Sequence, residues 1–318
     1  MADQPLSLSS TFANSSRTLS STVLQDSAYV ISLASLQSHY ALATSAPSNA
    51  IHLLDKSDWC PAVSYELRTR RCSQDMGRTI RCRGNSNFLV SNSGRKLPLL
   101  SCDVSPDGLT AAAGSVLQGN DATILYWDLR NPAAPLRKHT STHSDDITAV
   151  HFSQAGSTQT LLSASTDGLL CFSDPLEDDE DEANTSVRNW GCSISKAGWT
   201  RSENGQPQVW AVSDMETVSI WTDELDSVQD VDRDRLMYPG FALPWVTDYI
   251  IDGHTTRSGS FHVFAGSNEG DLALLTPGEP GAPWSLEQVF TRGHTEIVRC
   301  ALWDESSGIL LTGAKTLN

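Results

Sequence analysis

Residues 99–174 carry one run of local grammar written twice, and few folds are open to a chain that repeats itself in this way. An alternating apolar stretch, Leu100–Val104 or Ile147–Phe152, leads into a turn, SPDG or SQAG. A stretch of small or apolar residues follows, Thr110–Ala113 or Leu161–Ser165, and then a glycine-containing turn. A third stretch closes each copy, Ile124–Asp128 or Leu169–Asp174. Strict alternation marks half-buried strands. Three strands per copy, recurring about every 40–45 residues and ending once in Trp-Asp, is the pattern of a β-propeller blade.

The same layout extends outward from this pair. Tyr29–Asp55, Cys192–Trp221 and Val246–Thr276 each repeat it, and a last copy starts at Gly293-His294 and runs through TEIVRCALWDESSGILLTG. The closing positions fall at Asp55, Asp128, Asp174, Thr222 and Thr276, at gaps of 73, 46, 48 and 54 residues. The first gap is nearly twice a repeat, which predicts one further blade over 59–98. The count is then seven blades in an all-β chain, with a degenerate second blade and a truncated last one. The predicted domains are a disordered N-terminal tail over 1–17 and a single propeller over 18–318.

Composition excludes several classes. No apolar run approaches the ~20 residues of a membrane helix, and MADQPLSLSSTFANSSRTLSS lacks the basic and apolar regions of a signal peptide. The seven cysteines are odd in number, scattered and without a CxxC pair, which points to reduced thiols in an intracellular protein of cytoplasm or nucleus. A net charge of −16 repels phosphate backbones and disfavours nucleic acid as a partner. Basic protein surfaces suit it better, although such charge also serves plain solubility.

Two places break the pattern. Leu67–Lys96 carries eight Arg or Lys against the single acid Asp75, without a closing Trp-Asp and with poor alternation. An anion-binding insert, a loosely structured loop and a mis-spliced or frame-shifted stretch are the readings open for this basic segment. The final copy stops after its second strand, at LLTGAKTLN, and Thr18–Leu24 is the expected N-terminal strand to complete it. A ring closed this way is expected to be weakened, because closure is what removes unpaired sheet edges. Two acidic loops are also expected: 176–183, with six acids in Glu177–Glu182, and Asp223–Asp234, with six acids. Charge this dense must be solvated, either as a solubilising loop or as a dock for a basic partner.

The chain resembles WD-repeat (WD40) β-propellers and, more narrowly, the WD repeat-containing protein 89 family. The resemblance rests on SCDVSPDG at 101–108, ILYWDLR at 124–130, HSDDITAVHFS at 143–153, LLSASTDGLL at 161–170, the acidic stretch after it, and WGCSISKAGW at 190–199. It covers about residues 20–312 and fails over 59–98. It implies a seven-bladed, non-enzymatic intracellular protein that binds other proteins, with no cofactor, no metal and no catalytic residue to carry over. In such blades a His before the first strand, a Ser or Thr on the second, an Asp in the turn and a Trp on the third join in one buried hydrogen-bond chain. His143, Ser163 and Asp167 fill three of these slots, with Ser173 in place of the tryptophan. Trp127, Asp128 and Trp221 are intact in neighbouring copies, and Gly293, His294 and Thr312 start another that has no Asp. Ser, His and Asp together also suggest a catalytic triad, but here they already have a packing role. His139 and His143 have ligand-like spacing in an expected loop, with no third ligand nearby.

These residues point to a non-enzymatic protein–protein interaction scaffold, monomeric within larger complexes and without a membrane partner. The alternative rests on Trp127-Asp128-Leu129-Arg130, which resembles the box that docks WD-repeat substrate receptors on the adaptor of cullin-4 ubiquitin ligases. Trp127, Asp128 and Arg130 would then carry the docking.

Overall fold

The computed structural model describes residues 6–15, 21, 29–45, 50–57, 61–66, 97–131, 134–153, 159–240 and 244–314. Among them the chain is all-β, with helix confined to the turns Glu180–Ala183 and Arg233–Arg235. The architecture is that of a β-propeller, built from four-stranded antiparallel blades whose strands lie side by side in chain order.

Five such blades are described, not the seven that spacing suggested. They span 30–66, 99–143, 147–189, 194–232 and 249–290. The difference lies in what the long first gap contains. Its start, Pro61–Glu66, is the fourth strand of the 30–66 blade and pairs with Ala50–Asp55. The basic stretch 67–96 lies outside the described residues. The last copy contributes two strands, Val298–Asp304 and Ile309–Ala314, as a hairpin of its own.

Four of the five closing residues share a physical task. The Asp55, Asp128 and Asp174 carboxylates accept the backbone N–H two residues on, from Ser57, Arg130 and Leu176 at 2.7, 2.9 and 2.8 Å. Thr222 does the same with its hydroxyl toward Glu224 at 3.2 Å. A short polar side chain that bonds its own backbone two residues later makes a turn of itself. That is why the third strand ends where the Asp or Thr stands.

Contacts divide the chain, expected as one domain over 18–318, into two compact units: Met1–Thr69 with Val231–Asn318, and Arg70–Asp230. Within the second unit, neighbouring blades meet through a recurring junction. Ser101 Oγ donates to the Ile147 carbonyl at 3.1 Å and Thr148 Oγ1 to that of Ile194 at 2.7 Å. Each acceptor is the first residue of the next blade's inner strand. Leu162, Leu170, Phe172, Val209, Trp221 and Leu225 fill the space between the 147–189 and 194–232 blades. Each such side chain, fully buried, contributes roughly 1.5–3 kcal/mol of transfer free energy.

The first unit repeats that junction between the last copy and the first blade. Cys300 occupies the ladder position of Ser101, and its thiol lies 3.4 Å from the Val30 carbonyl, again the first residue of an inner strand. Gly114 and Gly313 are the ladder partners of Ser101 and Cys300. A Cβ at either would fall 2.4 Å from Ile147 Cγ2 or 2.7 Å from Val30 Cβ, so both glycines are demanded by close approach. Buried Asp304, the last residue of Val298–Asp304, accepts from Tyr40 Oη at 2.9 Å and Lys56 Nζ at 3.0 Å on the first blade. The hairpin therefore docks on the first blade with its two inner strands.

The N-terminal residues differ from expectation. The stretch 1–17, read as a disordered tail, contains the strand Ser7–Ser15, which adds parallel to the outer edge of the 249–290 blade along Ser285–Phe290. Leu6, 3% exposed, anchors its start. Of Thr18–Leu24, the strand expected to complete the last copy, all but Ser21 lies outside the described residues.

Candidate functional site

His143 ends the outer strand Arg137–His143, Ser163 lies on Leu161–Ser165, and Asp167 sits in the turn that follows. The structure brings the three together. His143 Nε2 is 2.8 Å from Ser163 Oγ and its Nδ1 is 3.2 Å from Asp167 Oδ2. With the carboxylate ionised, Nδ1 carries the hydrogen toward Asp167 and Nε2 accepts from the serine hydroxyl. Asp167 also accepts the backbone N–H of Ser144 at 2.8 Å and of Leu169 at 2.9 Å. Burial works to raise the Asp167 carboxyl, but the interaction with His143 and the two amide donors outweigh it and hold it below its ordinary value.

A serine bonded to a histidine that is bonded to an aspartate has the connectivity of a hydrolytic triad. Access decides its role. Ser163 has no exposed surface and His143 only 2%, so no substrate carbonyl can reach the oxygen. Every polar atom of the constellation is paired, across the junction of the 99–143 and 147–189 blades, which is the condition for such a network to stabilise.

The other members fall into place unevenly. His294 Nε2 meets Thr312 Oγ1 at 2.7 Å, the same first bond with no carboxylate behind it. Gly293 beside it is exposed and touches nothing that a side chain would meet. Ser173, in the tryptophan slot, is buried and bonds Asn184 Oδ1 at 3.0 Å instead. Trp221 packs in the interblade core against Trp190, but its indole N–H has no partner among the described residues. His139 and His143 are not in a loop: both lie on the strand Arg137–His143, and both are buried. Among the described residues no group of three His, Cys, Asp or Glu is placed to hold a metal ion.

In the Trp127–Arg130 segment only the arginine faces outward. Trp127 is completely buried. Arg130 folds back on Asp128, with Nε 2.9 Å from Oδ1 and Nη2 2.8 Å from Oδ2, while its side chain stays 72% exposed. The turn and the forked ion pair fix the guanidinium in one orientation.

Both acidic segments, read as solvated loops, contain groups that the fold uses. Glu180 opens the helical turn Glu180–Ala183 and reaches back to the neighbouring blade's outer strand. Its carboxylate accepts the backbone N–H groups of Thr140, Ser141 and Thr142, each at 2.7 Å, and the Thr142 hydroxyl at 2.6 Å. Burial pushes its carboxyl up, and these donors more than reverse that, holding it below its ordinary value. Arg137 adds a bond to the Pro175 carbonyl and an ion pair with Asp178 at 2.8 Å. In the second segment, Arg188 bonds the Leu225 carbonyl at 2.8 Å and Asp226 at 2.7 Å, and Trp190 Nε1 bonds Asp230 at 3.1 Å. Nothing in the run EDDEDE marks Glu180 as different from its neighbours. The only sequence signal was Asp179, whose side chain caps the Asp181 N–H as an N-cap residue would.

Comparison with known proteins agrees with this geometry. The family model of the WD domain, G-beta repeat (WD40) matches residues 135–174, which hold the network. The WD repeat-containing protein GTS1 of Arabidopsis thaliana is 31% identical over 60% of this chain and 49% of its own length. An uncharacterized WD repeat-containing protein of Saccharomyces cerevisiae is 34% identical over 49% of the chain and 38% of its own length. The WD repeat-containing protein 89 homolog of Dictyostelium discoideum is 25% identical over 79% of the chain and 62% of its own length. The chain thus spans about half the length of the curated relatives it matches.

Proposed function

We propose that this chain of WD40-type blades is a non-enzymatic scaffold that binds other proteins through its loops. One observation carries the reading. Its triad-like residues are buried at the junction of two blades, whereas an acidic loop is held in place on the preceding blade by the Glu180 carboxylate and the Arg137–Asp178 pair. Glu180 spends its carboxylate on three amides of the preceding blade; Asp178, paired with Arg137, and Asp179, Asp181 and Glu182 around it are exposed. A preordered loop loses less entropy when a partner docks. Carboxylates so arranged suit a partner with a basic surface, bound reversibly and weakened by salt. We place the protein inside the cell, as a monomer that joins larger complexes; no helix among the described residues is long and apolar enough to cross a membrane.

A screen of generic esters, phosphates and glycosides should show no turnover. Turnover that is lost in Ser163→Ala, with the variant still folded, would overturn the scaffold reading.

Exposed Arg130 supports a second reading, docking on the adaptor of cullin-4 ubiquitin ligases through Trp127-Asp128-Leu129-Arg130. With Trp127 buried, the guanidinium and the turn backbone would make the contact. Capture of the adaptor by the native chain but not by Arg130→Ala supports it; equal capture, or none by either, removes it.

A further inference from the structure

Four side chains that no proposed function uses meet where the 249–290 blade packs on the last hairpin. His254 and His262 stand directly opposite each other across the strands Tyr249–Thr255 and Phe261–Gly266. Both rings rest on Trp303 of the strand Val298–Asp304, with centroids 5.3 and 5.6 Å away. His254 also lies beside Phe264, and its Nε2 is 3.4 Å from Glu305 Oε1. His262 Nδ1 is bonded to Thr276 Oγ1 at 2.9 Å. Glu305 is itself held by the backbone N–H of Arg257, at 3.0 and 3.2 Å from its two oxygens.

We propose that this histidine pair is an acid-sensitive joint between the 249–290 blade and the last hairpin. At neutral pH two uncharged rings pack against the indole, one tilted and one edge-to-face, as ordinary half-buried aromatics. A first proton goes to His254, because Glu305 is at hand and Asp252 lies on the same strand. A second proton, on His262, meets a like charge directly across the ladder, an arrangement that destabilises a strand pair. The facing acids are Asp252, Glu287 and Glu305, and Thr276 offers His262 only a neutral hydroxyl. The doubly charged pair gains by turning toward water, and doing so takes both rings off Trp303. Burial acts in the same direction, since it keeps both imidazoles below their ordinary value, and His254 further depresses His262. Histidine is the residue whose charge changes in this range, so the joint is firm at neutral pH and loosens as pH falls below about 6.5.

The test compares native chain with His254→Gln/His262→Gln at pH 7.5 and pH 5.5. Thermal unfolding gives the overall acid sensitivity. Hydrogen exchange of 298–304, corrected for intrinsic rate and referenced to 161–165, gives the local one. His139 and His294, also depressed by burial, are unchanged between the two proteins and cancel in the comparison. The native chain should show a larger fall in Tm on acidification and faster exchange confined to 298–304, both reduced in the double variant. Should the double variant fail to fold, Glu305→Gln serves instead. It removes the carboxylate that welcomes the first proton, so its acid sensitivity should exceed the native chain's. Parallel pH responses in the native chain and whichever variant is used, or acid-quickened exchange that is not local to 298–304, would overturn the proposal.

Discussion

At the scale of single residues, the side chains that look most reactive are the ones most fully committed to structure. Ser163→Ala should therefore cost stability and no activity. It leaves His143 Nε2 buried without a donor, a loss of about 1–3 kcal/mol by the usual penalty for an unsatisfied buried group, read by chemical denaturation. Acid should weaken the same blade. Asp167 and Glu180 both titrate below their ordinary values of 3.8 and 4.5 in the folded chain. A depressed carboxyl contributes stability that is complete above the ordinary value and is lost as pH falls through the folded one. Glu180→Gln should accordingly lower the midpoint at pH 7 and flatten the fall in stability below pH 4.5. A variant whose acid limb matches the native one would show that the amide clamp carries no weight.

Turns and strands show which parts of the fold could be read from the chain. The inner strands were legible because alternation and a closing Asp report local physics: a buried face, and a turn that the Asp builds for itself. The outer strands were not. RKHTSTH at 137–143, NTSVRN at 184–189 and SVQDVD at 227–232 are polar edges whose pairing is set by the neighbouring strand. That is why His139 and His143 read as a loop, and why the start of the first long gap was assigned to a new blade. The parallel strand Ser7–Ser15 and the Glu180 clamp are long-range contacts with no local signature. Two substitutions test the element-level account. Gly114→Ala should cost about 1–3 kcal/mol through overpacking, since the new Cβ would fall 2.4 Å from the buried Ile147. Glu216, by contrast, stands at φ 62°, in the turn position that Gly168 fills in the preceding blade with φ 85°. Relieving a left-handed non-glycine residue returns up to about 1–2 kcal/mol, less the added chain entropy, so Glu216→Gly should raise the melting temperature. A fall would mean that the side chain's own contacts outweigh the backbone strain.

For the molecule as a whole, the repeats specify a β-propeller architecture, and the departures from the repeat determine what can be counted. Five blades are described where spacing gave seven: Pro61–Glu66, at the start of the long gap, ends a blade already begun, 67–96 lie outside the described residues, and the described part of the last copy is a hairpin. That hairpin meets the first blade through the same thiol-or-hydroxyl junction and the same glycine as an interior blade pair. Function was less legible than fold. The residues with chemistry are inside, and the loops state only the charge of a partner. The scaffold claim is tested most directly by affinity capture of the native chain from a cell lysate, with bound proteins quantified by mass spectrometry at low and high salt. The account predicts a discrete set of partners recovered in near-stoichiometric amounts, carrying basic surfaces, and depleted by salt and by neutralising Asp178, Asp179, Asp181 and Glu182 together. Recovery of no partner above a folded, unrelated acidic control would contradict it.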